Sequence, residues 1–102
     1  VQTEDIQMAA YIVATVRISD PVKFAAYGAG IAGLSAEFGG ERVCGGAVSE
    51  VLEGSSPVGE RVVVVKFPDA DSARAYIHSP RYQAAKLERK GAAEVDMRIL
   101  VD

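Results

Sequence analysis

The stretch DPVKFAAYGAGIAGLSAEFGG, residues Asp20 to Gly40, admits two incompatible readings, and the fold depends on which is right. Gly28, Gly30 and Gly33 spell the G-x-G-x-x-G of a dinucleotide-binding turn, with Glu50 and Glu53 near where that fingerprint places its acidic residue. The fingerprint needs a buried strand running into its first glycine. Here that place is held by Asp20-Pro21-Val22-Lys23-Phe24-Ala25-Ala26-Tyr27, which reads as a helix start. Asp20 is a suitable N-cap, and Pro21 fits the first helical position, where no backbone N–H is needed. Phe24, Tyr27, Ile31, Leu34 and Phe38 then recur at helical spacing and fall on one face, and Gly39 supplies a left-handed stop. The internal glycines each cost about 1 kcal/mol relative to Ala. Such a helix holds only by burying its apolar stripe, and the helical reading is the one adopted.

Outward from this segment, Ala9 to Ser19 alternates as a strand. Ile12, Ala14, Val16 and Ile18 face one way, and Tyr11, Val13, Thr15 and Arg17 the other. Glu41 to Glu53 reads as a strand with a bulge or bend at Gly45-Gly46, followed by the turn-rich connector Gly54 to Gly59. Arg61 to Phe67 is a short β-branched run suited to a central strand, and Pro68 ends it. Asp69 or Asp71 caps a helix to about Ile77; Ser79-Pro80 breaks it and caps a second piece to about Lys90. Gly91 closes that piece, and Glu94 to Val101 alternates as a last strand. The order is β-α-β-β-α-β. It predicts an α+β, ferredoxin-like domain over residues 9–102, with an antiparallel sheet and helices on one face. Residues 1–8 are read as an extension, Met8 being a natural start. The sheet face carrying Tyr11, Val13, Thr15 and Arg17 is left uncovered and apolar enough to predict a two-fold homodimer.

Composition narrows the function. The chain has 102 residues, a net charge of −3 and interspersed rather than clustered charges, which argues against nucleic acid and a polybasic membrane patch. No apolar run is long enough to span a bilayer, and the first residues are not signal-like. With one cysteine and one histidine there is neither an internal disulfide nor a Cys/His zinc set. A cytoplasmic setting with no metal and no bound cofactor is the expectation.

The runs YIVATVRISDPVKFAAY, FGGERVCGGAVSEVLEG and RVVVVKFPDADSARAYIHSPRYQAAKLERKGAAEVDMRILVD, in that order, resemble the domain-of-unknown-function family numbered thirteen-thirty. The resemblance spans Ala9 to Val101. Its most specific parts are Asp20-Pro21 with Tyr27, Phe38-Gly39-Gly40, Gly45-Gly46 before Val51-Leu52-Glu53-Gly54, and Ser79-Pro80 with Tyr82-Gln83. It implies membership of the dimeric α+β barrel superfamily, in which two protomers join their sheets. That superfamily includes cofactor-independent monooxygenases, isomerases, dehalogenating and heme-degrading enzymes, and regulatory ligand-binding domains. One fold therefore leaves the chemistry open.

The residues offer a short set of candidates. His78 belongs to the residue type that changes charge near neutrality; at the break between the helical pieces it is the candidate general base, although no orienting carboxylate is evident. Tyr27, Tyr82 and Tyr76 are candidates for positioning a small polar or aromatic substrate between helices and sheet. Arg17 and Arg98, with Asp96, are placed on the uncovered sheet face as interface ion pairs or an anion site. Cys44 is read as a small buried filler. A pocket between sheet and helices, roofed by the Gly54 to Gly59 loop and the His78 break, is expected. Two functions compete for it: cofactor-free proton transfer or oxidation of a small organic molecule, and non-catalytic metabolite binding. A third reading is a module that only dimerises.

Overall fold

The computed structural model describes residues 8–102; the reading of residues 1–8 as an extension lies, Met8 apart, outside them. The elements are β1 (Ala10–Ile18), α1 (Pro21–Gly30), a short 3-10 helix (Ser35–Phe38), β2 (Glu41–Ala47), β3 (Arg61–Phe67), α2 (Ala70–His78), α3 (Pro80–Glu88) and β4 (Ala93–Val101). The strands form one antiparallel sheet in the order β2-β3-β1-β4. This is the predicted ferredoxin-like arrangement.

β1 sits in the middle and shows why. Ala10, Ile12, Ala14 and Val16 are buried under the helices, and the alternate residues Tyr11, Val13, Thr15 and Arg17 lie on the other face. Phe67 at the end of β3 is buried against Tyr76 of α2, their rings 5.5 Å apart. Ile12, Tyr27, Leu34, Phe67, Ala73, Tyr76, Tyr82 and Ala85 make one core between helices and sheet.

The Asp20 to Gly40 segment is helical at its start, as its capping residues predict. The Asp20 carboxylate accepts from the Lys23 amide at 3.1 Å. Gly28 and Gly30 lie inside α1, so no strand enters the first glycine and the dinucleotide reading has no structural basis. The single long helix is corrected, however. It stops at Gly30, and the chain passes through Gly33 at φ +74 into the 3-10 turn before Gly39 closes it at φ +81. Closely spaced glycines weaken the helix, and Arg81 from α3 satisfies the carbonyls released there. It donates to Gly30 O at 3.0 Å and Ala32 O at 2.9 Å. The apolar stripe survives the break: Tyr27 and Leu34 are buried, with Phe24, Ile31 and Phe38 packed on the core.

Three further expectations change in β2. The irregularity falls between Arg42 and Cys44, making Val43 the extra residue, and not at Gly45-Gly46. The strand ends at Ala47 rather than continuing to Glu53, and Leu52 is 89% exposed. Because the bulge shifts the alternation by one, Cys44 sits across from Val64 on the face away from the helices; it is exposed and not a buried filler.

The α2–α3 break follows the sequence closely. Asp69 caps α2 by accepting from the Ser72 amide at 2.7 Å. Ser79 serves both ends: its hydroxyl donates to Tyr76 O at 2.7 Å and accepts from the Tyr82 amide at 3.2 Å. Pro80 then begins α3.

Candidate functional site

A cavity of about 310 Å³ lies between the sheet and the helices. Its floor is aliphatic, with Ile12 and Val16 from β1 and Val63 and Val65 from β3; its roof is aromatic, with Phe24 and Tyr27 from α1 and Tyr76 from α2. Two small residues face the space, Ala14 from the floor and Gly28 from the roof, and a Cβ built on Gly28 meets nothing within 4 Å. The size is at the lower end of small-molecule sites, which run to roughly 300–1,000 Å³.

A polar cluster from α1 and α3 stands behind the Tyr27 edge of this cavity. Tyr27 and Tyr82 touch hydroxyl to hydroxyl at 2.9 Å, their rings edge-on. Arg89, just past α3, donates from Nη1 to the Tyr82 hydroxyl at 2.9 Å, and its guanidinium lies 4.8 Å over the Tyr27 ring. Arginine has donors only, so the Tyr82 oxygen must accept there. Tyr82 is left with one proton and two acceptors, the Tyr27 oxygen at 2.9 Å and the Met97 sulfur at 3.8 Å. Either hydroxyl of the Tyr27–Tyr82 pair can be the donor.

Tyr76 adds a second donor. Its ring stands 5.1 Å from that of Tyr82, and its hydroxyl has no hydrogen-bond partner among the described residues. Since no sealed side-chain polar atom there lacks a partner, that hydroxyl opens onto accessible space. Burial pushes the Tyr76 phenol up to about 12; neighbouring Tyr82 adds to the rise and Arg89 opposes it. Burial, then the bond to Tyr82, holds the Tyr27 phenol well above its ordinary value. Both are therefore neutral hydrogen-bond donors at neutral pH, unable to serve as bases.

The predicted tyrosines thus converge: Tyr27 and Tyr76 line the cavity, and Tyr82, 1% exposed, stands behind them. His78 does not join them. It is exposed at the end of α2, in a separate hollow of about 170 Å³ with Arg74 and Arg98, and no hydrogen bond orients it among the described residues. The Gly54 to Gly59 loop contributes nothing to the cavity wall. Arg17 lies on the opposite sheet face, held by Glu60 at 2.6 Å and Asp96 at 3.1 Å. Arg98 on the same face donates to the Thr15 hydroxyl at 2.9 Å.

Arg89 and Arg42 are functional candidates that the sequence reading passed over. Arg89 is seven residues, close to two helical turns, after Tyr82, a spacing that places both on one helix face. Arg42 gave no comparable signal, because its direction depends on the bulge at Val43. Among the described residues no three His, Cys, Asp or Glu side chains gather as a metal set. No helix among them is long and apolar enough to cross a membrane.

The fold defines the class: a ferredoxin-like α+β protein. Residues 9–102 match the family described as domain of unknown function (DUF1330), and the chain belongs to that family. Among solved structures it is similar to a protein of unknown function from Rhodopseudomonas palustris, at 19% identity and a TM-score of 0.76, covering 94% of this chain and 83% of that one. It is also similar to SnoaB, a cofactor-independent oxygenase from Streptomyces nogalater, at 14% identity and a TM-score of 0.65, covering 93% of each chain. A dimeric ferredoxin-like protein of unknown function from Thermobifida fusca matches at 19% identity and a TM-score of 0.65, covering 94% of this chain and 92% of that one. No curated protein matches the chain.

Proposed function

We propose that this protein binds a small organic molecule in the cavity between sheet and helices and acts on it without a cofactor, by proton transfer or oxidation. The observation that carries the reading is the Arg89–Tyr82–Tyr27 chain. A fixed cation donates to one phenol, which is hydrogen-bonded to a second, and the second lines an apolar cavity. Hydrogen-bond donors preorganised in a water-poor site favour negative charge developing on a substrate oxygen. An enolate or phenolate held in this way can be reprotonated at carbon, which is isomerisation, or can surrender electrons to dioxygen, which is oxidation. The fold shared with a cofactor-independent oxygenase supports the second course.

A second reading is non-catalytic binding. It is favoured by the lining itself, which holds no histidine, aspartate or glutamate to remove a proton. In either case we propose a homodimer formed through the open sheet face. Val13, Val62 and Val64 give that face an apolar centre, and Arg17, Arg98 and Asp96 lie around it.

A thermal-shift screen of small aromatic and carbonyl compounds, followed by turnover assays on each stabilising compound, tests the reading. Stabilisation in the wild type that is lost in Ala14→Leu, where the added side chain fills the floor, is expected for binding in this cavity. Turnover falling about a hundredfold in Tyr27→Phe, the scale of one lost oxyanion donor, is expected for catalysis. Stabilisation without turnover selects the binding reading, and stabilisation untouched by Ala14→Leu contradicts both.

A further inference from the structure

The charge in the cavity has one sign. Arg42 is the only charged residue in its lining. It is exposed, which puts its head group at the mouth rather than in the interior. Arg17, Arg74 and Arg81 are engaged by carboxylates, and Arg89 by Tyr82. Arg42 has no ion pair among the described residues; its hydrogen bond, Nη2 to Gly45 O, is long at 3.4 Å.

The local backbone explains how it reaches this position. Arg42 is opposite Val65 and Gly45 is opposite Val63, so the bulge at Val43 makes them successive residues on the helix side of the edge strand. A Cβ at Gly45 would fall on the Arg42 guanidinium, so the glycine is what leaves the head group its seat. Ser35 and Tyr76 also line the space, and neither hydroxyl has a hydrogen-bond partner among the described residues. A cation and neutral hydroxyls with no carboxylate match a ligand that brings the negative charge itself.

We propose that the cavity selects a small organic anion, an apolar body of one or two rings carrying a charged oxygen, with Arg42 pairing with that charge at the mouth. The inference rests on the reading of this cavity as a binding site and adds the class of its ligand.

The test is calorimetric titration at pH 7 and low salt with two acid and amide pairs, phenylacetate with phenylacetamide and 2-naphthoate with 2-naphthamide. The wild type is expected to prefer the acid of a pair by about tenfold, the scale of one charge-assisted hydrogen bond. Arg42→Gln is expected to remove that preference while leaving amide binding unchanged. Arg42→Lys, which restores the charge without the fork, is expected to recover part of it. Equal binding of acid and amide by the wild type, or a preference that persists in Arg42→Gln, overturns the inference and leaves the cavity as a binding site for neutral molecules. Failure of all four compounds to bind overturns the reading of the cavity and the inference with it.

Discussion

Tyr82 has one proton and touches an arginine, a phenol and a thioether, and that imbalance organises the candidate site. Replacing it with Phe removes the acceptor of Arg89 and the partner of Tyr27 together. Tyr82→Phe is expected to cost about 1–3 kcal/mol in chemical denaturation, the penalty for unpaired buried polar groups. Tyr27→Phe, at the cavity end of the chain, is expected to cost less. The phenols also set a pH dependence. A group protonated more firmly in the folded than in the unfolded state contributes stability that is intact below its unfolded pKa, near 10.0 for tyrosine, and is lost as pH rises through the folded value, about 12 for Tyr76. Stability measured by urea titration is therefore expected to fall above pH 10, and Tyr76→Phe is expected to flatten that fall. The sequence made these tyrosines legible because helical spacing and capping fixed the faces on which they lie. It did not reveal Arg42, since a single bulged residue decides which side of an edge strand its neighbours occupy. It also placed His78 near the helix break without showing that the break lies away from the cavity.

The glycines of α1 show how one element meets two demands. Gly30 lies where α1 and α3 cross: an added Cβ would come to 2.9 Å from the Ala85 Cβ. Gly28, two residues earlier, has open space at the same position. Gly28→Ala is expected to raise stability by roughly 1 kcal/mol through helix propensity, whereas Gly30→Ala is expected to lower it by roughly 1–3 kcal/mol by forcing the helices apart. Thermal melts of the two variants check both signs. Helix existence, caps and the Ser79-Pro80 break were legible because they depend on local chemistry: a carboxylate or hydroxyl near free amides, and a proline at a first turn. The end of α1 at Gly30 was not, because the released carbonyls are satisfied by Arg81 from a helix fifty residues away. The bulge at Val43 was missed for a similar reason, its register being set by pairing with β3.

At the scale of the whole molecule, the helices cover one face of the sheet and leave the other to Val13, Val62, Val64 and their charged border. Val64→Glu is expected to convert a dimer to a monomer in sedimentation equilibrium, since the carboxylate would be buried without a partner at the apolar centre. The β-α-β-β-α-β order could be read from periodicities and turn residues alone, and with it came the two-layer architecture. A pocket between the layers could be expected from that architecture, but its walls could not, because the space arises where Ala14 of β1 and Gly28 of α1 both line it and neither the Gly54 to Gly59 loop nor His78 does. The central claim is that this interlayer space takes a small organic ligand. The most direct measurement is a methyl NMR titration of the wild type with 2-naphthoate. Shifts concentrated on Val16, Ile31, Val63 and Val65 are predicted; shifts confined to Ile77 and Ile99 beside His78, or to Val13, Val62 and Val64 on the open face, would contradict it.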